Sequence, residues 1–309
     1  MSLETDLLID RRHLKRRLLF WRVFTALVVV GCALFVLAPN LRPGRGGHLT
    51  RLTVSGLITD DRRLGEAVAA LARDEGVRGL IVSIDSPGGS FAGGESLHDA
   101  IQQVAASKPV VAVMGGTAAS AGYMVALPAA RIFARSSTLT GSIGVLLQTG
   151  EVSGLLERLG ISTEAIISGP LKDQPSYTHP TSPRGREVLQ ALVMDMYDQF
   201  VGMVAAGRHK QPDQVRALAD GRPYTGRQAL DLGLVDAIGG EADARAWLAA
   251  EKGIPVGLPV DELRLGSLAR RVLVGSFAPV LDELMKSVLS QGLRLDGAWA
   301  IWQPAIGNE

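Results

Sequence analysis

Residues 18–38, LLFWRVFTALVVVGCALFVLA, form an apolar run broken only by Arg22, and no other stretch restricts the fold as much. At 1.5 Å per residue a helix of this length rises about 30 Å, enough to cross the hydrocarbon core of a bilayer. Arg22 stands one turn inside the start, within snorkelling reach of the headgroups, and Trp21 suits the interface. Five basic residues (Arg11, Arg12, Lys15, Arg16 and Arg17) precede the run, whereas Arg42, Arg45 and Arg51 follow it. That bias predicts a cytoplasmic segment 1–17, a membrane anchor 18–38 and an exported body. Val36 and Ala38 mimic a small-residue cleavage pattern, but Pro39 obstructs it, so the span reads as a retained anchor. Residues 39–50, with two prolines and three glycines, read as a linker.

The body is expected to be α/β. LTVSGLI (52–58), VRGLIVSID (77–85), PVVAVM (109–114) and RIFA (131–134) are β-rich runs, while 62–75 and 94–106 have helical periodicity. Strands alternating with helices predict a layered fold with a largely parallel sheet. A longer amphipathic helix is expected over about 184–207, with Ser182 as N-cap and Pro183 at its first position. The domain is read as residues 51–252, and 253–309 as a C-terminal extension with an amphipathic stretch near 277–291.

Composition removes several functions. A net charge of +1 offers no basic face to nucleic acid. The single cysteine, Cys32, permits neither an intrachain disulfide nor a multi-thiolate zinc site. The five histidines lack the short spacing of a helical metal motif, so no cofactor or metal is expected.

Three small-residue clusters remain for chemistry. DSPGGS (85–90) ends an apolar strand, where glycines let the backbone turn tightly and leave N–H groups free, although such a turn is often only a turn. GGTAASAGY (115–123) places Ser120 between a strand and a helix; flanking Ala and Gly expose its hydroxyl, and the next amide faces any oxyanion formed. Read alone, the same serine serves equally as a helix N-cap. The third cluster is TGSIGV (140–145), followed by SGPLKD (168–173). Only six of the 32 basic residues are lysines, and Lys172 lies in a Gly/Pro loop. A lysine can lose its proton and act as a base where arginine cannot, though a loop lysine is also an ordinary solvated charge.

SIDSPGGS, TAASAGYMVA, LTGSIGV and IISGPLKD, with LADGRPYTGRQALDLGLVDAIGG (218–240), resemble in order and spacing the signatures of the signal peptide peptidase A (SppA) family. The resemblance covers roughly residues 50–250 and implies a ClpP/crotonase-like fold of repeated ββα units, in the short single-repeat form. It also implies roles: Ser120 as nucleophile, Lys172 as general base, and Ser142 as the hydroxyl that orients the lysine. The amides of Gly88 and Ala121 would form the oxyanion hole, with an extended substrate pairing at Gly89 and Ser90. Ala121, where relatives often have glycine, should still fit; Met124, often an aromatic, is expected to alter a pocket wall.

The implied enzyme is a membrane-anchored Ser–Lys endopeptidase on the outer face of a bacterial-type inner membrane. Its substrates would be signal-peptide remnants or other apolar, membrane-proximal peptides. An amine base must fall from a pKa of about 10.4 toward working pH, and a drop of about 3 units corresponds to roughly 4 kcal/mol, which burial in an apolar cleft can supply. A histidine base is disfavoured, since none lies between His98 and His179 and the latter sits in a Pro/Ser/Thr-rich loop. Short forms of the family resemble homo-oligomers whose adjacent protomers share the dyad. Two alternatives stay open: a catalytically idle membrane scaffold of the same fold, and an acyl-CoA enzyme of the crotonase type.

Overall fold

The strand runs become a single mixed sheet because their side chains are apolar on both faces. The computed structural model describes residues 47–263 and, ahead of them, residues 17, 20–25, 27 and 28, which are helical. Strands β1 (His48–Ile58), β2 (Val77–Gly89), β3 (Val110–Ala119) and β4 (Arg131–Ala134) fall where the β-branched residues cluster. In β2, Leu80, Ile81, Val82 and Ile84 are all fully buried, the signature of a central parallel strand covered on two sides. Four short strands complete the sheet: β5 (Leu139–Gly141), β6 (Pro223–Thr225), β7 (Ala237–Ile238) and β8 (Val260–Glu262). The order is β6-β5-β3-β2-β1-β8, with β4 and β7 branching from β3, and every pairing is parallel except β5 with β6.

Helices cover both faces. On one lie α1 (Arg62–Ala70), α2 (Phe91–Ala105), α3 (Ala121–Ala126) and, after the short α4 (Ser153–Arg158), the long α5 (Pro183–Arg208). Ser182 caps α5 by accepting from the Gly185 N–H, and Pro183 takes the first position, as the sequence predicts. After α6 (Pro212–Arg216) and α7 (Gly226–Asp231), α8 (Glu241–Lys252) covers the other face, where Ala244 and Leu248 meet Leu49, Ile81, Val111 and Phe133.

Residues beyond 252 still pack with the sheet. The unit containing the sheet runs Gly44–Leu265, Ile254 is buried in the core, and β8 pairs with β1 beyond that point. Val260, Asp261 and Glu262 are too few to show a period, which hid them. The stretch 264–309, including 277–291, lies outside the described residues, as does most of the predicted anchor 18–38. Among the described residues no helix is long and apolar enough to cross a membrane.

A partly buried ion pair braces the back of α3. Arg208 Nη2 lies 2.5 Å from Asp236 Oδ1, and Asp236 Oδ2 also accepts the Ile132 N–H at 2.8 Å. Burial pulls the Arg208 pKa down, but the hydrogen bond to Asp236 and the nearby Tyr123 and Asp236 oxygens together outweigh it, so the guanidinium stays charged. Nearby, the fully buried Tyr123 hydroxyl donates to Leu234 O at 2.8 Å, and burial raises its pKa. Asp236→Ala leaves the arginine's charge without a partner in a largely dry setting. A loss of about 3 kcal/mol is expected, read as a lower denaturation midpoint at unchanged m-value.

Candidate active site

Where β3 runs into α3 the chain turns on Ser120, at φ 54° and ψ −123°. A non-glycine residue there is strained by about 1–3 kcal/mol and must be held by its surroundings. Its N–H donates to Gly141 O at 2.9 Å, and its carbonyl accepts from Tyr123 and Met124 at 2.9 and 3.0 Å, opening the helix. The serine is only half-buried and makes no side-chain cap bond. Ser120 thus holds the N-cap position of α3 through its backbone alone, and its hydroxyl is left for another partner.

The first cluster meets the second here. Gly88 has φ 110°, and a Cβ added to it would stand 2.9 Å from Ser120 Cβ, 3.0 Å from Ala119 O and 3.1 Å from Ala121 N. Glycine is required on both counts, backbone conformation and space. Ala121, at the first position of α3, carries an N–H for which the helix holds no acceptor. The Gly88 N–H is not free, however: it donates to Ser86 Oγ at 3.0 Å.

Ser142 joins the same neighbourhood through the sheet. Ala119 pairs with Gly141, so the next residues on the two strands are Ser120 and Ser142. Ser142 also has a positive φ, 47°, and its N–H donates to Arg222 O at 3.0 Å. Thr140, fully buried, donates to Ala118 O at 2.7 Å and locks β5 onto β3 just before both serines. Sequence reading passes over Thr140; its place in TGSIGV is the available signal.

Lys172 is placed differently. It is exposed, its N–H donates to Gly169 O at 3.0 Å, and with Ser168–Leu171 and Arg184 it lines an open pocket of about 520 Å³. Among the described residues no hydrogen bond joins Lys172 to Ser120 or Ser142. The apolar cleft expected around the amine is thus not built by these residues of one chain. His179 bonds Asp173 at 2.7 Å through Nε2, half-exposed at the surface, as its loop composition suggests.

Two further expectations need correcting. Ser90 does not stand ready for a substrate strand: its N–H donates to Ile58 O at 2.9 Å and its Oγ caps α2 by accepting from Gly93. Gly89 is in register with Ile58, so by strand alternation its own amide faces away from β1. Met124 forms no pocket wall. It is 1% exposed, packed where a Cβ on Gly94 would reach its sulfur at 3.0 Å.

A half-buried serine on a strained strand-to-helix turn, beside a glycine that tolerates no side chain and the first amide of a helix, matches the geometric pattern of a serine-hydrolase site. Residues 102–255 match the model of peptidase family S49, a range that includes Ser120, Ser142 and Lys172. A protein of Synechocystis sp. named as a protease is 41% identical over 207 residues, 67% of this chain and 75% of that one. An Enterococcus faecium protein named for signal peptide peptidase SppA is 41% identical over 66% of this chain and 63% of its own length. Protease 4 of Salmonella typhi is 32% identical over 79% of this chain but only 41% of its own. Among solved structures, ClpP1 from Listeria monocytogenes aligns at 18% identity and TM-score 0.40, over 63% of this chain and 93% of that one. The chain belongs to peptidase family S49, as a serine protease akin to the SppA and Protease 4 proteins.

Proposed function

We propose that this chain is a membrane-anchored Ser–Lys endopeptidase that cleaves extended, apolar peptides released near the bilayer. Ser120 Oγ attacks the scissile carbonyl while Lys172 Nζ takes its proton. The resulting oxyanion is held by the amides of Ala121 and Gly88, each worth about 3 kcal/mol in the transition state. The protonated lysine then passes its proton to the leaving amine, and water repeats the cycle on the acyl-enzyme. Ser142 orients the amine. The observation that carries the reading is the strained Ser120 turn, with Gly88 so close that any side chain there would strike the nucleophile.

The dyad is completed by an adjacent copy. Two observations support this: Lys172 is exposed in a single chain, and the segment around it carries exposed apolar side chains, including Leu146, Leu155, Leu159, Ile161 and Ile166. A second subunit laid over them would bury the lysine and supply the dry setting an amine base requires. Residues 18–38 would hold the assembly at the membrane, with segment 1–17 cytoplasmic and the peptidase unit on the outer face. Signal-peptide remnants fit as substrates because they are apolar and are released at that surface.

The test is covalent labelling of the full-length protein with a fluorophosphonate. One adduct per chain is expected at Ser120, lost in Ser120→Ala, together with hydrolysis of apolar peptides. Labelling without hydrolysis of any peptide would instead favour an esterase, and no labelling at all a scaffold.

A further inference from the structure

Ser86 lies two residues before Gly88 in the DSPGGS cluster, has no role in the reading above, and is fully buried. Its hydroxyl donates to Gly56 O at 2.6 Å and accepts from the Gly88 N–H at 3.0 Å. Both ends of this relay are irregular: Gly56 has φ 69° at a register shift in β1, and Gly88 has φ 110° after a register shift in β2. Ser86 itself is wedged beneath α3, where a Cβ on Gly122 would stand 2.9 Å from its carbonyl oxygen. A hydroxyl held on two sides has little freedom to follow the amide if that amide changes partner.

We propose that Ser86 is a positioning residue: it holds the Gly88 amide in the free enzyme and yields it to the tetrahedral oxyanion but not to the substrate's carbonyl. The proposal rests on the reading of Ser120 as nucleophile and Gly88 as oxyanion donor. Its physical basis is the acceptor strength of the three oxygens. A neutral carbonyl and a neutral hydroxyl are nearly equal acceptors, so substrate binding gives the amide no reason to exchange. An oxyanion accepts about twice as strongly and draws the amide across. What Ser86 withholds is ground-state binding: the bond given up on the way to the transition state is as strong as the carbonyl bond it replaces, so turnover is kept while KM is held up. Meanwhile the amide, buried beside the nucleophile, is never left without a partner.

The test is steady-state cleavage of a fluorogenic apolar peptide by the full-length protein and its variants. In Ser86→Ala the amide is free to bind the ground-state carbonyl. KM is expected to fall about fivefold, close to 1 kcal/mol at 1.4 kcal/mol per tenfold, with kcat within about twofold of wild type. Ser86→Cys, a weaker acceptor of similar shape, should lie between the two, and it carries the test should the alanine variant not fold. A fall in kcat at unchanged KM would reduce Ser86 to a part of the frame, and unchanged kinetics in both variants would also overturn the proposal. Failure of fluorophosphonate to label Ser120 in the wild type would instead remove the nucleophile reading, and the role of Ser86 with it.

Discussion

Lys172→Ala is expected to lower kcat for peptide cleavage by about 10²–10⁴, the range a positioned general base contributes, while KM stays close to wild type. In this reading the lysine handles the proton between Ser120 and the leaving amine and does not hold the substrate in place, so removing it leaves the substrate's binding contacts intact. Its exposure in one chain makes a second measurement decisive. Subunits carrying Ser120→Ala and subunits carrying Lys172→Ala are each inactive alone. Co-assembled in equal amounts, roughly a quarter of junctions unite an intact serine with an intact lysine across a head-to-tail interface. Recovery of about that fraction of wild-type activity is expected. Verified mixed assemblies that remain silent would place the base elsewhere, because the described residues of a single chain give Lys172 no cover of its own.

Gly88→Ala is expected to abolish most activity and to destabilise the fold. The methyl group would meet Ser120 Cβ, Ala119 O and Ala121 N at 2.9–3.1 Å, all of them backbone or near-backbone atoms with no room to retreat. Strain from the positive φ adds about 1–2 kcal/mol and overpacking about 1–3 kcal/mol, so a total near 3 kcal/mol is expected from thermal or denaturant unfolding. Displacing Gly88 also misplaces one oxyanion donor, which lowers kcat by about 10²–10³. Gly253→Ala is the matched control. That residue has φ 65° but nothing within 4 Å of the added Cβ, so it carries the strain without the collision. It should lose about 1 kcal/mol and keep its activity. Equal behaviour of the two variants would mean that the crowding at Gly88 is not what matters.

Much of this architecture is legible in the residues themselves. β1 to β4 declare themselves through runs of Val, Ile and Leu, and α5 through Ser182, Pro183 and an apolar stripe. The short strands do not, since two or three residues such as Ala237–Ile238 carry no period and are strands only because a neighbour's edge is available. α8 stays hidden behind Gly239 and Gly240, and β8 behind the glycines and prolines of 253–259. At the site, Ser120 is recognisable from its small neighbours at a strand-to-helix junction. What local sequence cannot carry is who holds whom across the sheet. The Gly88 amide, free on the sequence reading, is taken by Ser86; Ser90, which that reading offers to substrate, is spent on Ile58 and α2. Nor does the SGPLKD loop reveal that its lysine faces solvent, because cover is a property of the assembled surface.

The outermost pairing, β1 with β8, joins residues as far apart as Arg51 and Glu262, 211 positions along the chain. Arg51 spans this seam, reaching Glu262 at 2.6 Å and also Glu241. While the polypeptide is still being made, the flank of β1 that meets β8 waits for its mate through roughly 10–40 s of synthesis at 5–20 residues per second. During that interval a nascent chain presents a naked ribbon to its siblings, an invitation to stack in the wrong company. The yield of this protein is therefore expected to depend on how quickly the last of its described strands arrives.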